Sequence, residues 1–179
     1  EVVEKVFPMI KDATKLQAFW LDAAQAIGSQ ITAGRDVAFL TIGDPLTFST
    51  YVYLLRCLRN IIPEGNIHTI PGITSFHAAA SLANLPLAQR DEKIAIIPVP
   101  DEVEELRPIL EGFDTVILMK VAKRLDAVIA LLEELKLTQN ALFASHVGME
   151  DAYLTRNISE LKGSGKGYMS VIIVKRPQK

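Results

Sequence analysis

The sequence lacks several things that would settle its class quickly. It holds one cysteine, Cys57, set among Leu54, Leu55 and Leu58, so neither a disulfide framework nor a thiolate metal site can be built. Its three histidines, His68, His77 and His146, show no metal-binding spacing and no Ser-His-Asp arrangement. No apolar run reaches the roughly 18 residues needed to span a bilayer, and Glu1 opens neither the basic nor the apolar region of a signal peptide. Excess positive charge is missing too. A formal charge of −2 argues against a general nucleic-acid binder. What is present is 49% hydrophobic and 22% charged residues over 179 positions, enough to bury a substantial core in one large domain or two small ones. These properties point to a soluble, cytoplasmic globular protein.

Apolar periodicity organises the chain. EVVEKVF reads as a helix already under way at Glu1 and ended by Pro8. Leu16 to Ala33 follows a helical period and stops at Gly34. Val37 to Ile42 is a continuous apolar run with the look of a buried strand. Phe48 to Arg59 reads as a helix, Ile67 to Ile70 as a short strand, and Thr74 to Ala83 as an Ala-rich helix. Strand and helix alternating at this spacing predict βαβ units and a parallel sheet. The charged stretch Gln89 to Lys93 suggests a boundary, giving domains 1–91 and 92–179. The second predicts strands at Ile94–Val99, Thr115–Val121, Ala141–Ser145, Ala152–Arg156 and Met169–Lys175, with helices at Glu102–Leu110 and Leu125–Leu135.

Two turns carry the candidate chemistry. In VAFLTIGDPLTFST, Gly43-Asp44-Pro45 stands at the carboxyl end of a predicted strand, where open α/β sheets bind ligands. Glycine permits close backbone approach, and the Asp44 carboxylate can accept hydrogen bonds or hold an ammonium. An ordinary turn with Asp44 as a helix cap fits the spacing as well. IPGITSFHAAAS, Ile70 to Ser81, repeats the design, with Thr74 and Ser75 opening a helix. Two such turns in consecutive units favour a shared small-molecule pocket. His68 and His77 read as structural, and His146, after a strand, is a weaker site candidate. Gly163 to Gly167, GSGKG, departs from the P-loop pattern and precedes a strand, so it reads as a flexible turn. Asn157-Ile158-Ser159 matches a glycosylation acceptor without a secretion signal to go with it.

VAFLTIGDPLTFSTY, followed by IPGITSFHAAASLANLPLA, resembles the tetrapyrrole (corrin/porphyrin) methylases, and within them the C20-methyltransferases of cobalamin synthesis acting on precorrin-2 or cobalt-factor II. TVILMKVAKRLDAVIALLEEL, ASHVGMEDAYLTRNISEL and GYMSVIIVKR extend the likeness over essentially the whole chain. The resemblance implies two α/β domains with a cofactor cleft between them, a homodimer, and S-adenosylmethionine as methyl donor, leaving S-adenosylhomocysteine. It also implies a first strand and a Gly-Pro-Gly-Asp-Pro-like loop ahead of Glu1, so the first domain is expected to be incomplete as it stands. Cofactor contacts implied by position are Ile42, Gly43, Asp44, Thr47, Thr74, Ser75, Met119, His146, Val147, Gly148, Met169 and Ser170. A substrate rich in carboxylates makes Lys120, Lys123 and Arg124 candidates for its binding. No metal ligand, nucleic-acid partner or membrane partner is implied, and no catalytic side chain is identified. Another methylase of the superfamily, acting on a different tetrapyrrole, a protein or ribosomal RNA, and a non-catalytic nucleotide-binding module remain the alternatives.

Overall fold

The computed structural model describes residues 2–8, 10 and 12–177. The chain forms two compact units, Glu1–Thr74 and Ser75–Lys179. The division falls earlier than the 91/92 expectation because the helix that follows Thr74 buries its apolar face on the second unit's sheet.

The first unit is built on two helices. Helix α1 (Ala13–Thr32) starts at Asp12, whose carboxylate accepts from the N–H groups of Thr14 and Lys15, each at 3.1 Å. That satisfies two of the donors a helix start leaves orphaned. Its apolar stripe, Trp20, Ala23 and Ala24, packs on Tyr51, Leu54, Cys57 and Leu58 of α2 (Tyr51–Leu58). Phe7 stacks on Trp20 at 4.2 Å, and Trp20 on Tyr53 at 5.5 Å. Residues 2–8 are not helical, and Glu1 lies outside the described residues.

The expected strands Val37–Ile42 and Ile67–Ile70 are not formed. Among the described residues neither segment has a ladder partner, so both run as irregular extended chain. Phe39 turns onto the helix pair, while Leu40 is 87% and Ile70 83% exposed. The apolar composition of these segments is real, but a strand is a property of pairing as well as of sequence.

The second unit is a five-stranded sheet covered on both faces. Strands β1 (Ile94–Pro98), β2 (Thr115–Met119), β3 (Ala141–Ser145), β4 (Tyr153–Thr155) and β5 (Ser170–Lys175) lie in the order β1-β2-β5-β3-β4. Only β1 and β2 pair in parallel; β5 inserts antiparallel between β2 and β3, and β4 pairs antiparallel with β3. The sheet is therefore mixed, a correction to the parallel expectation. Strand alternation sorts the core. Val116, Leu118, Phe143, Ile172 and Val174 face α5 (Leu125–Glu134) and α4 (Arg107–Gly112). Ile117, Leu142, Ala144, Val171 and Ile173 face α3 (Ser75–Leu82), through Phe76, Ala79 and Ala80. No helix among the described residues is long and apolar enough to cross a membrane.

Candidate functional site

The first unit brings the two predicted turns together. Gly43 has φ +73°, a left-handed value that favours glycine. Gly72 packs so closely that a Cβ there would collide with the carbonyl of Gly43. Asp44 joins the two turns: its carboxylate accepts from Leu46 N–H at 3.0 Å and from Gly72 N–H at 3.5 Å. The hydroxyl of Thr47, followed by these amides, holds the Asp44 carboxyl below the usual aspartate range. No helix starts here, since α2 begins only at Tyr51, so the helix-cap alternative is replaced by a clamp between turns. A second tie, Tyr51 Oη to Thr69 Oγ1 at 3.0 Å, holds the 67–70 segment on α2. Ile42, Gly43 and Gly72 are left exposed beside the clamp, and Thr74 is half-buried at the end of the unit.

In the second unit the sheet aligns the remaining candidates. Register places Pro98 beside Met119, Met119 beside Val171, and Ser145 beside both Ser170 and Tyr153. The carboxyl ends of β1, β2 and β3 thus share one edge with the start of β5. Three non-glycine residues just beyond this edge adopt left-handed backbone: Lys120 (φ 58°), His146 (φ 49°) and Met169 (φ 46°). Such residues are uncommon and gather where a structure over-determines them, often at ligand sites. His146 N–H donates to Met169 C=O at 3.1 Å, so the turn after β3 and the entry to β5 are locked together. Gly148 follows at φ +88°. Met119 and Val147 are half-buried against the α3 side of the core, Ser170 is buried, and Met169 is 45% exposed.

Residues that sequence reasoning missed support this edge. Gly167 packs on the Ala122 backbone so tightly that a Cβ would collide with it, and its carbonyl accepts from Ser170 Oγ at 2.6 Å. Gly163 N–H donates to Asp126 Oδ1 at 3.0 Å, and Lys166 Nζ lies 4.1 Å from the Tyr153 ring centroid. The GSGKG segment is therefore a strap tied to the sheet end at several points, a correction to the flexible turn; its spaced glycines were the available signal. Asp151, 3.3 Å from His146 Nδ1, was also missed.

The other candidates are dispersed. Ser75 is exposed at the first turn of α3. Arg124 forms an ion pair with Asp101, and Lys123, the residue before it, is exposed. His68 and His77 are both on the surface, so neither is a core histidine.

A mixed α/β sheet whose strand ends run into a row of left-handed turns presents the kind of edge at which α/β proteins hold ligands. The comparisons narrow it. The description "Tetrapyrrole (Corrin/Porphyrin) Methylases" matches residues 1–162, and the chain belongs to this family of methyltransferases. A cobalt-precorrin-2 C(20)-methyltransferase of Salmonella typhimurium is 33% identical over 171 residues, covering 95% of this chain and 71% of that protein. A precorrin-2 C(20)-methyltransferase of Sinorhizobium sp is 30% identical over 161 residues, covering 90% and 64%. The fold is shared with a uroporphyrin-III C-methyl transferase from Thermus thermophilus solved with S-adenosylhomocysteine: TM-score 0.61 at 20% identity, over 93% of this chain and 74% of that one.

Proposed function

We propose that the protein transfers a methyl group from S-adenosylmethionine to C20 of precorrin-2 or of cobalt-factor II in cobalamin biosynthesis. The observation that carries this is the likeness to the Salmonella methyltransferase over 95% of the chain, which takes in both clusters of candidate residues.

The two clusters suit an adenosyl cofactor. Gly43 and Gly72 let the two turns meet backbone to backbone and leave that backbone exposed beside Ile42. On the sheet edge, Met119 and Val147 offer apolar surface, and the Val147–Gly148 backbone beside the His146–Met169 bond is where polar groups would be met. Bound there, S-adenosylmethionine would supply an electrophilic methyl on a sulfonium sulfur. The work left to the protein is alignment, which can contribute about 7–11 kcal/mol to a bimolecular step. Ile42, Gly43, Asp44, Thr47, Thr74 and Ser75 from the first unit, and Met119, His146, Val147, Gly148, Met169 and Ser170 from the second, are the proposed contacts. Asp44 also holds the turns together, through Thr47, Leu46 and Gly72.

Lys120, Lys123 and Arg124, in the segment that follows β2, are proposed to meet substrate carboxylates, Arg124 while paired with Asp101. We place the protein in the cytoplasm and propose a homodimer; sedimentation of the purified chain checks the dimer. The test of function is calorimetric titration with S-adenosylhomocysteine, followed by turnover with both tetrapyrroles and mass analysis of the products. Binding plus one added methyl on either substrate is expected. Absence of binding would leave a non-catalytic module, and binding without methylation of either substrate would point to another acceptor.

A further inference from the structure

C-methylation has a second half that the proposed contacts leave unassigned. When a ring carbon bearing hydrogen attacks the sulfonium methyl, a carbon–carbon bond forms, the carbon–sulfur bond breaks and its electron pair stays on sulfur. The ring carbon then carries both hydrogen and methyl within a cationic π-system. Neutrality returns only when its C–H bond breaks, the electrons going to the ring and the proton to a base.

We propose that His146 is that base and that Asp151 positions its imidazole; the proposal rests on the methyltransferase reading above. His146 leaves β3 at the sheet edge where Met119, Met169 and Ser170 converge. Its backbone is held on both sides, by N–H donation to Met169 C=O at 3.1 Å and by its own carbonyl accepting from Met149 N–H at 2.9 Å. The left-handed backbone at φ 49° turns the side chain out of the strand's alternation. The imidazole is 28% exposed, neither core nor free surface. Two titratable groups face it: Asp151, from its own turn, with Oδ2 3.3 Å from Nδ1, and Tyr168, from the segment before β5, with ring centroids 6.2 Å apart. A carboxylate beside Nδ1 favours the tautomer with its proton there, which leaves the Nε2 lone pair as acceptor. The same carboxylate stabilises the imidazolium once the proton has arrived, and water removes that proton after product leaves. Imidazole suits the task because it changes charge between about pH 5 and 8, where a base works best.

The test uses the full chain and whichever tetrapyrrole the wild type methylates. His146→Asn keeps a residue that tolerates left-handed backbone while removing the base. Asp151→Asn, on an exposed turn, removes only the positioning carboxylate. Three readouts are taken: S-adenosylhomocysteine affinity, kcat against pH, and the isotope effect with substrate deuterated at the reacting carbon. General-base loss typically costs about 10²–10⁴-fold, so His146→Asn is expected to lose about that much kcat while affinity stays within about threefold. Its acidic limb should vanish and a primary isotope effect should emerge, because proton loss becomes limiting. Asp151→Asn should lower kcat about tenfold and bring out part of the isotope effect while affinity is unchanged, and Asp151→Glu should restore both. Unchanged kcat in His146→Asn, or a fall matched by lost affinity without an isotope effect, overturns the proposal. If His146→Asn does not fold, Asp151→Asn decides: an unchanged kcat without an isotope effect refutes the pairing. A wild type that binds S-adenosylhomocysteine but methylates neither tetrapyrrole refutes the underlying reading instead.

Discussion

The two units place their apolar surface differently. In the second, Ile117, Leu118, Phe143, Ile172 and Ile173 are all 0% exposed, each strand facing helices on one side or both. In the first, Leu40, Ile42, Ile70 and Ile73 are 87%, 80%, 83% and 72% exposed, although their segments are no less apolar in composition. The second unit has long-range backbone pairing to order its strands; the first has two helices, an aromatic stack and a few side-chain ties. Hydrophobic runs become a core only where something is placed opposite them.

The comparison breaks most readily at Phe143. Phe143→Ala should destabilise the second unit by about 3–5 kcal/mol, read by far-UV circular dichroism in urea. Leu54→Ala, in a fully buried position of the first unit, should cost about 2–5 kcal/mol. Because Trp20 is the only tryptophan and sits in that helix pair, its fluorescence reports this loss. If Leu54→Ala leaves the Trp20 transition unmoved, the first unit is not held by the packing described.

The glycine contacts come next. Gly72→Ala and Gly167→Ala each drive a methyl into neighbouring backbone, in the first and second unit respectively. Overpacking of this kind costs about 1–3 kcal/mol. Both should also weaken S-adenosylhomocysteine binding, and Gly112→Ala is the control in the second unit, since its Cβ would meet open space without a left-handed backbone. Equal effects from Gly112→Ala and Gly167→Ala would show that the Ala122 contact does not govern the strap.

A smaller effect is expected from protonating Asp44. Its carboxyl is held below the usual range, first by the Thr47 hydroxyl, so the folded state prefers the ionised form. The clamp is therefore fully present above the ordinary aspartate value of about 4 and is lost as pH falls through the lower folded value. The protection of the Gly72 amide, its exchange rate relative to that of an unstructured amide at the same pH, should fall only below about pH 4 and stay constant between about pH 5 and 8. Asp44→Ala should show the reduced protection at every pH. The smallest effect belongs to Leu40→Ala, expected within about 0.5 kcal/mol of wild type because the side chain is already in water.

Sequence reasoning located the elements of the second unit well: Ala141–Ser145 was placed to the residue, and Leu125–Leu135 differs from α5 by one position. Each has a local signal, a branched apolar run or a helical stripe. What could not be read was pairing. Nothing local says that β5 inserts antiparallel between β2 and β3, or that Val37–Ile42 finds no partner. The site was legible in the same uneven way. Gly43-Asp44 and the Gly72 turn stood out by composition, but the bond by which Asp44 clamps Gly72 spans the chain between them. Gly167 and Asp151 were missed because their importance lies in Ala122 and His146, which only the folded chain brings near.

The account stands most directly on where the methyl goes. S-adenosylmethionine carrying an isotopically labelled methyl group is incubated with the purified chain and precorrin-2, then with cobalt-factor II, and each product is examined by NMR. The account predicts label on C20 of at least one of the two, with equimolar S-adenosylhomocysteine formed. Label on another ring carbon, or no transfer from a protein shown to be folded, would contradict it.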